Sequence, residues 1–148
     1  MKEILTKEVI LRDGKDADTD IGFDPLTYEY TDINTDLPYT GLVYSAYDED
    51  YIESYWYYTE GIKDKVEVTF HPNGKLESYF ELSCGVGDGE YIIYNEEGVM
   101  TYYAEMELGI TKTYKRWNDN GELIESKEEP TKEDVEEILK RKKLREES

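Results

Sequence analysis

Phe70-His71-Pro72-Asn73-Gly74-Lys75-Leu76, Tyr94-Asn95-Glu96-Glu97-Gly98-Val99-Met100 and Trp117-Asn118-Asp119-Asn120-Gly121-Glu122-Leu123 are copies of one pattern: an aromatic residue, a polar turn closed by Gly, and an aliphatic residue. The turn glycines are 24 and then 23 residues apart, and a second series, Gly61, Gly85 and Gly109, keeps a spacing of 24. Ile52 stands 24 residues before Leu76, so a degenerate copy precedes the clear ones, with Asp50 at the turn Gly position. A period in this range marks stacked supersecondary units, none of which buries its apolar face alone.

The units read as β-hairpins. Tyr, Trp and Phe make up 14% of the chain, and Val66-Glu67-Val68-Thr69-Phe70 alternates with the period of two of a half-buried strand. Asn73-Gly74 and Asn120-Gly121 are hairpin-turn signals of the primed type, in which both central residues take positive φ. Two strands and two turns fill each repeat. The expected fold is therefore mainly all-β, an antiparallel meander of stacked hairpins forming an elongated sheet, with one C-terminal α-helix. Residues 1–129 form the repeat domain, with N-terminal strands in 1–36 and repeats over about 37–126; residues 130–148 form the capping helix. Within 1–36 the expectation is a strand over 1–12, an acidic loop over 13–22 and a strand over Leu26 to Thr31, whose edge could accept a partner strand. Pro130 ends the sheet, and Thr131 with Asp134 makes a capping box for a helix from about Lys132 to Leu144.

Charge narrows the partners. Thirty-six acids against 17 bases give a net charge of −19, which disfavours nucleic acid and anionic membranes and favours a basic protein. Residues 131–148 are balanced, with six of each sign. A single cysteine, Cys84, permits no internal disulfide, no long apolar run is present, and Lys7, Glu8 and Arg12 interrupt any leader-like start. A cytoplasmic location is expected.

The Tyr-x-x-x-Gly-x-Leu pattern, with the lead-in Leu37-Pro38-Tyr39-Thr40-Gly41-Leu42-Val43-Tyr44, resembles the bacterial MORN-variant repeat proteins, including those named after the YwqK antitoxin. The resemblance covers about residues 37–126. It implies stacked hairpins in an elongated sheet and, by analogy with members encoded beside polymorphic toxins, an antitoxin or immunity role. The chain departs from the pattern at Asp50, and at Lys65 and Thr113, which replace the second-turn Gly kept at Gly89. Acids also stand where lysines enrich such repeats, a change that fits a cationic target.

Tyr55, Tyr79 and Tyr103 are in register, three residues after Ile52, Leu76 and Met100. In a regular strand, odd spacing puts the two sets on opposite faces. Ile52, Trp56, Tyr58, Leu76, Phe80, Leu82, Met100, Ala104 and Met106 are then expected inside. Outside lie Glu53, Tyr55, Tyr57, Glu77, Tyr79, Glu81, Tyr103, Glu105 and Glu107, of which Tyr55, Tyr57, Glu77, Tyr79, Glu81, Tyr103, Glu105 and Glu107 are the candidate partner-binding residues. Such a surface suits Arg and Lys recognition through ion pairs and cation–π contacts. Cross-strand tyrosines also stabilise a sheet without any partner, and both readings stay open.

Catalysis finds little support. His71 precedes Pro72 in a turn, and one His with one Cys cannot supply a zinc site of the usual ligand count. Asp16-x-Asp18-x-Asp20 and Asp32-x-Asn34-x-Asp36 resemble the opening of a calcium loop but lack its Gly and its bidentate Glu. No cofactor, no metal and no catalytic residue is expected. The functional expectation is a non-enzymatic immunity protein or antitoxin that occludes the active site of a basic toxin, with a nuclease as the natural example. The alternatives are a MORN-type protein or membrane scaffold, and an acidic nucleic-acid mimic that inhibits a defence enzyme.

Overall fold

The computed structural model describes residues 1–147. Helix α1 (Lys7–Asp13) leads into β1 (Lys15–Asp16), β2 (Ile21–Asp24), β3 (Glu29–Asp32), β4 (Gly41–Ala46), β5 (Ile52–Thr59), β6 (Ile62–Phe70) and β7 (Leu76–Ser83). The chain continues through β8 (Val86–Tyr94), β9 (Met100–Glu107), β10 (Ile110–Trp117) and β11 (Leu123–Lys127) to helix α2 (Lys132–Glu147). A nine-stranded sheet runs β1-β4-β5-β6-β7-β8-β9-β10-β11, antiparallel throughout except for the parallel β1–β4 pair. The mainly β meander with its C-terminal helix is thus the fold the repeats imply. The capping box forms as read: Asp134 N–H donates to Thr131 Oγ1 at 3.0 Å, and Thr131 N–H to Asp134 Oδ2 at 2.9 Å.

Two kinds of turn alternate along the meander, and the primed one lies elsewhere than Asn-Gly suggests. Gly74, Gly98 and Gly121 have positive φ while Asn73 and Asn120 do not, so these are three-residue loops with one left-handed Gly. Each loop is closed by the same bond, from His71 N–H to Lys75 O at 2.8 Å, from Asn95 to Val99 at 2.9 Å and from Asn118 to Glu122 at 2.9 Å. The degenerate copy keeps it too, from Tyr47 to Tyr51 at 2.8 Å, with Asp48 Oδ1 accepting from Asp50 and Tyr51 in place of the missing glycine. The tight primed turns are Glu60-Gly61, Cys84-Gly85 and Leu108-Gly109, where both residues have positive φ. Side chains of the preceding repeat hold the strained first residue, Thr40 Oγ1 for Glu60 N–H, Asp64 Oδ1 for Cys84 and Asp88 Oδ1 for Leu108.

Stacking bonds recur with the repeat. Tyr47 Oη donates to Phe70 O, and His71 Nε2 meets Tyr94 O, both at 2.9 Å. His71 is therefore a stacking residue between neighbouring turns. This periodic bonding makes each hairpin the template for the next.

The first 36 residues differ from the sequence reading. Residues 1–6 are irregular and 7–13 are helical, with Thr6 as N-cap accepting from Val9 N–H at 3.3 Å, so no strand spans 1–12. The segment expected as a loop contributes β1 and the start of β2, and the strand placed at Leu26 begins only at Glu29, after a turn at 25–28. β2 and β3 pair with each other as a separate hairpin, tied to the meander by Tyr30 N–H to Gly61 O at 2.9 Å and by Tyr30 stacked on Tyr58 at 4.9 Å.

One-residue bulges bring the repeat tyrosines to the inside, while Ile52, Leu76 and Met100 pack against the core and Tyr58, Leu82 and Ala104 are buried, as expected. Ser45 pairs with Ser54 and Ala46 with Ile52, Thr69 with Ser78 and Phe70 with Leu76, and Ile93 with Tyr102 and Tyr94 with Met100. Glu53, Glu77 and Thr101 are thus extra residues, each directly after the aliphatic residue of its repeat. An extra residue shifts the parity of every later position. Leu76 and Tyr79, three apart, consequently share a face. The core is built from Tyr55, Tyr79, Val66, Val68, Ile92, Leu42 and Ile10, with Ile52, Leu76, Met100 and Tyr103 packed against it.

Candidate partner-binding surfaces

The tyrosine row is covered by the N-terminal segment. Tyr44, Tyr55, Val68, Tyr79, Ile92 and Tyr103 lie opposite one another across successive strands, and residues 1–13 cross this face. Leu5 N–H donates to Tyr55 Oη and Lys2 N–H to Tyr79 Oη, each at 3.0 Å. Beyond them Tyr103 Oη donates to Glu90 at 2.7 Å, and the same carboxylate pairs with the Met1 ammonium at 2.7 Å. Ile10 of α1 is 1% exposed and seals the far end.

This arrangement corrects the expected binding surface. Tyr55 and Tyr79 are each 1% exposed and cannot present rings to a partner in this conformation, and the half-buried Tyr57 packs against the same core. Glu81 accepts from Tyr79 Oη at 2.9 Å and from Glu90 N–H at 2.8 Å. Glu107 is held by Lys112 and by Lys142 of α2. Glu77, the bulge residue, faces His71 Nδ1 at 3.8 Å, and Glu105 is exposed on β9. The eight residues do not form one open surface.

Electrostatics follow from the burial. Burial first, then the Glu81 hydrogen bond, pushes the Tyr79 phenol up to about 12, and the Glu90 bond does the same for Tyr103, also to about 12. Glu90 itself is lowered, first by the N-terminal ammonium and then by Tyr103.

The opposite face carries Trp56 and Phe80, which the sequence reading placed inside, together with tyrosines it assigned to neither face. Trp56, Glu67, Phe80, Tyr91, Ala104 and Tyr114 lie opposite one another on it, and Tyr102 and Arg116 flank them in the next row. Phe80 and Tyr91 are 4.6 Å apart by ring centroid, Tyr91 and Tyr102 5.6 Å, and Tyr102 and Tyr114 6.0 Å, with Arg116 over Tyr102 at 5.8 Å. These rings are half-buried. Tyr91, Tyr102, Arg116 and Trp117 line a shallow depression of about 380 Å³. Carboxylates border the row: Tyr91 is raised first by burial and then by Tyr102, Glu67 and Glu77, and Tyr114 first by its hydrogen bond to Glu125. Aromatic rings set beside carboxylates can take a cationic side chain by cation–π contact and ion pair together.

Three of the C-terminal cations are engaged within the fold. Arg141 Nη1 donates to Leu108 O at 2.8 Å, Lys142 pairs with Glu107 at 2.8 Å, and Arg145 reaches Ser83 O at 3.0 Å. α2 thus crosses the tight-turn rim. Among the described residues, no group of three His, Cys, Asp or Glu is disposed to hold a metal ion, and the acids of the 16–20 and 32–36 loops cap their own backbone. Among the described residues, no helix is long and apolar enough to cross a membrane. Neither a protein-family model, nor a curated protein, nor a solved structure matches this chain.

The aromatic row escaped the sequence reading because parity was counted without the bulges. Glu53 and Glu77 after Ile52 and Leu76 gave no warning, since a polar residue after an inward aliphatic one is also what a regular strand shows.

Proposed function

We propose that this chain is a non-catalytic binding protein of the cytoplasm that takes a basic protein partner on the face carrying Phe80, Tyr91, Tyr102 and Tyr114, in the manner of an immunity protein or antitoxin. The observation that carries the reading is the contiguous aromatic row on a chain of net charge −19, bordered by Glu67, Glu77 and Glu125, whose contacts with Lys63, His71 and Arg116 a cationic partner would share or replace. Long-range attraction steers a cationic partner to the sheet, and the rings supply contact area at low entropic cost. Neutralisation is then occlusion of the partner's active site or substrate groove. The 24-residue hairpin repeat supports membership of the MORN-variant type. The scaffold alternative leans on the basic stretch Lys140 to Arg145, three of whose cations are turned to the sheet rim.

The test is retention of proteins from the source cell on the immobilised full chain and on a Phe80→Ala, Tyr91→Ala, Tyr102→Ala variant that still folds. A basic protein held by the first, released by the second and inhibited by the free chain supports the reading. Retention of only acidic or neutral proteins, or equal retention by both forms, counts against it.

A further inference from the structure

The meander stops in the middle of a repeat. β11 is the last strand of the sheet, and among the described residues its outer edge pairs with no strand. Its Leu123, Glu125 and Lys127 correspond to Leu76, Ser78 and Phe80 of β7, and to Met100, Tyr102 and Ala104 of β9. In those strands the following strand is already in place: Ser78 lies opposite Ile93 and Phe80 opposite Tyr91, while Tyr102 lies opposite Arg116 and Ala104 opposite Tyr114. The bulge also recurs, since Arg116 pairs with Glu125 and Trp117 with Leu123, leaving Ile124 as the extra residue. β11 therefore has the backbone form of a strand that elsewhere in this sheet receives a neighbour.

No element covers the outer edge among the described residues, and its exposed charges are mostly acidic. Leu123 is 53% and Ile124 60% exposed, and α2 crosses the tight-turn rim instead of covering the strand. Edge strands are ordinarily protected by lysines, prolines or a covering element. Here Glu122, Glu125, Glu128 and Glu129 are exposed along β11 and its continuation, while Lys127 is turned to Thr111 O and Asp134; Glu125 is itself paired with Arg116 at 3.3 Å, a surface ion pair that an incoming cation can share or replace.

We propose that β11 is a strand-acceptor edge that takes an extended segment of a basic protein partner, antiparallel, with a cationic side chain opposite Glu125 and apolar side chains against Leu123 and Ile124. Backbone hydrogen bonds supply the affinity and the carboxylates select the charge. A second copy of this chain is the weaker occupant, because antiparallel pairing of two β11 strands sets the same carboxylates against each other. This inference shares with the proposed function the basic partner, but it rests on the edge and not on the aromatic face.

The test uses the full chain and a capped, strand-length peptide of alternating Lys and Val, with the same peptide N-methylated at alternate residues as control. The expected result is slowed amide exchange at Leu123 to Lys127 on adding the plain peptide, and roughly tenfold weaker binding by the N-methylated peptide and by Glu125→Lys, about 1.4 kcal/mol. Equal binding of both peptides reduces the contact to charge attraction and overturns the proposal, as does absence of protection at β11. Protection confined to β7–β9 overturns it while leaving the aromatic face standing. Protection at β11 in a dimer without peptide assigns the edge to a second copy and overturns it too. If β11 is protected and the triple aromatic variant retains its protein partner, the proposed function fails and the edge survives.

Discussion

The Tyr79 hydroxyl accepts the backbone N–H of Lys2 at 3.0 Å and donates to Glu81 at 2.9 Å. One repeat earlier, Tyr55 accepts from Leu5 at the same distance of 3.0 Å. The repeat tyrosines are thus the receptor for the chain's own N-terminal segment, and the face they define is internal.

Tyr79→Phe removes both bonds and leaves the Lys2 N–H without its partner, at a cost of about 1–2 kcal/mol. Tyr79→Ala adds a cavity and costs about 3–5 kcal/mol. Urea unfolding checks both. A ring on a partner-facing surface would give a change within about 0.5 kcal/mol for either variant.

Ile10→Ala empties a site that is 1% exposed and costs about 2–5 kcal/mol. Removing residues 1–13 uncovers the whole tyrosine row, so the truncated chain should bind a hydrophobic dye and unfold at lower denaturant. A truncated chain as stable as the full one would show that the segment is an accessory and not part of the core.

Lys65 has φ +70, at the position matched by Gly41 and Gly89, which also have positive φ. Lys65→Gly should relieve left-handed strain and stabilise by about 1 kcal/mol, less whatever the Lys65–Tyr57 cation–π contact supplies. Gly89→Ala should do the reverse, since its Cβ would meet Glu81 Oε1 at 2.5 Å. Thermal melts of the two variants should move in opposite directions.

Alkaline pH should unfold the protein through its phenols. Tyr58, Tyr79 and Tyr103 are raised to about 12 in the folded state, so the folded chain holds protons that the unfolded chain releases near pH 10. The stabilisation is complete below about pH 10 and is lost as pH rises towards 12. Stability measured across this range should fall less steeply in Tyr79→Phe than in the parent, and an unchanged slope would contradict the assignment.

The repeat made the meander legible because its turns recur: the glycines at 74, 98 and 121 and at 61, 85 and 109 mark both ends of every hairpin. The helix α2 was legible from its capping box. The faces were not, because the one-residue bulges at Glu53, Glu77 and Thr101 are silent in a count of spacing yet decide which side each later ring occupies. The N-terminal helix was missed because its seven residues are too few to show a period, and tertiary burial of Ile10 does more to fix it than local preference.

The most direct measurement takes a basic protein captured by the full chain and compares its affinity for a Tyr91→Ser, Tyr102→Ser variant and for Tyr103→Phe on the covered face. The aromatic-face variant should lose at least about 2 kcal/mol, roughly thirtyfold, while Tyr103→Phe stays close to the parent. The opposite order, with Tyr103→Phe abolishing binding and the double variant unaffected, would contradict the account and place the partner on the face now occupied by the N-terminal segment.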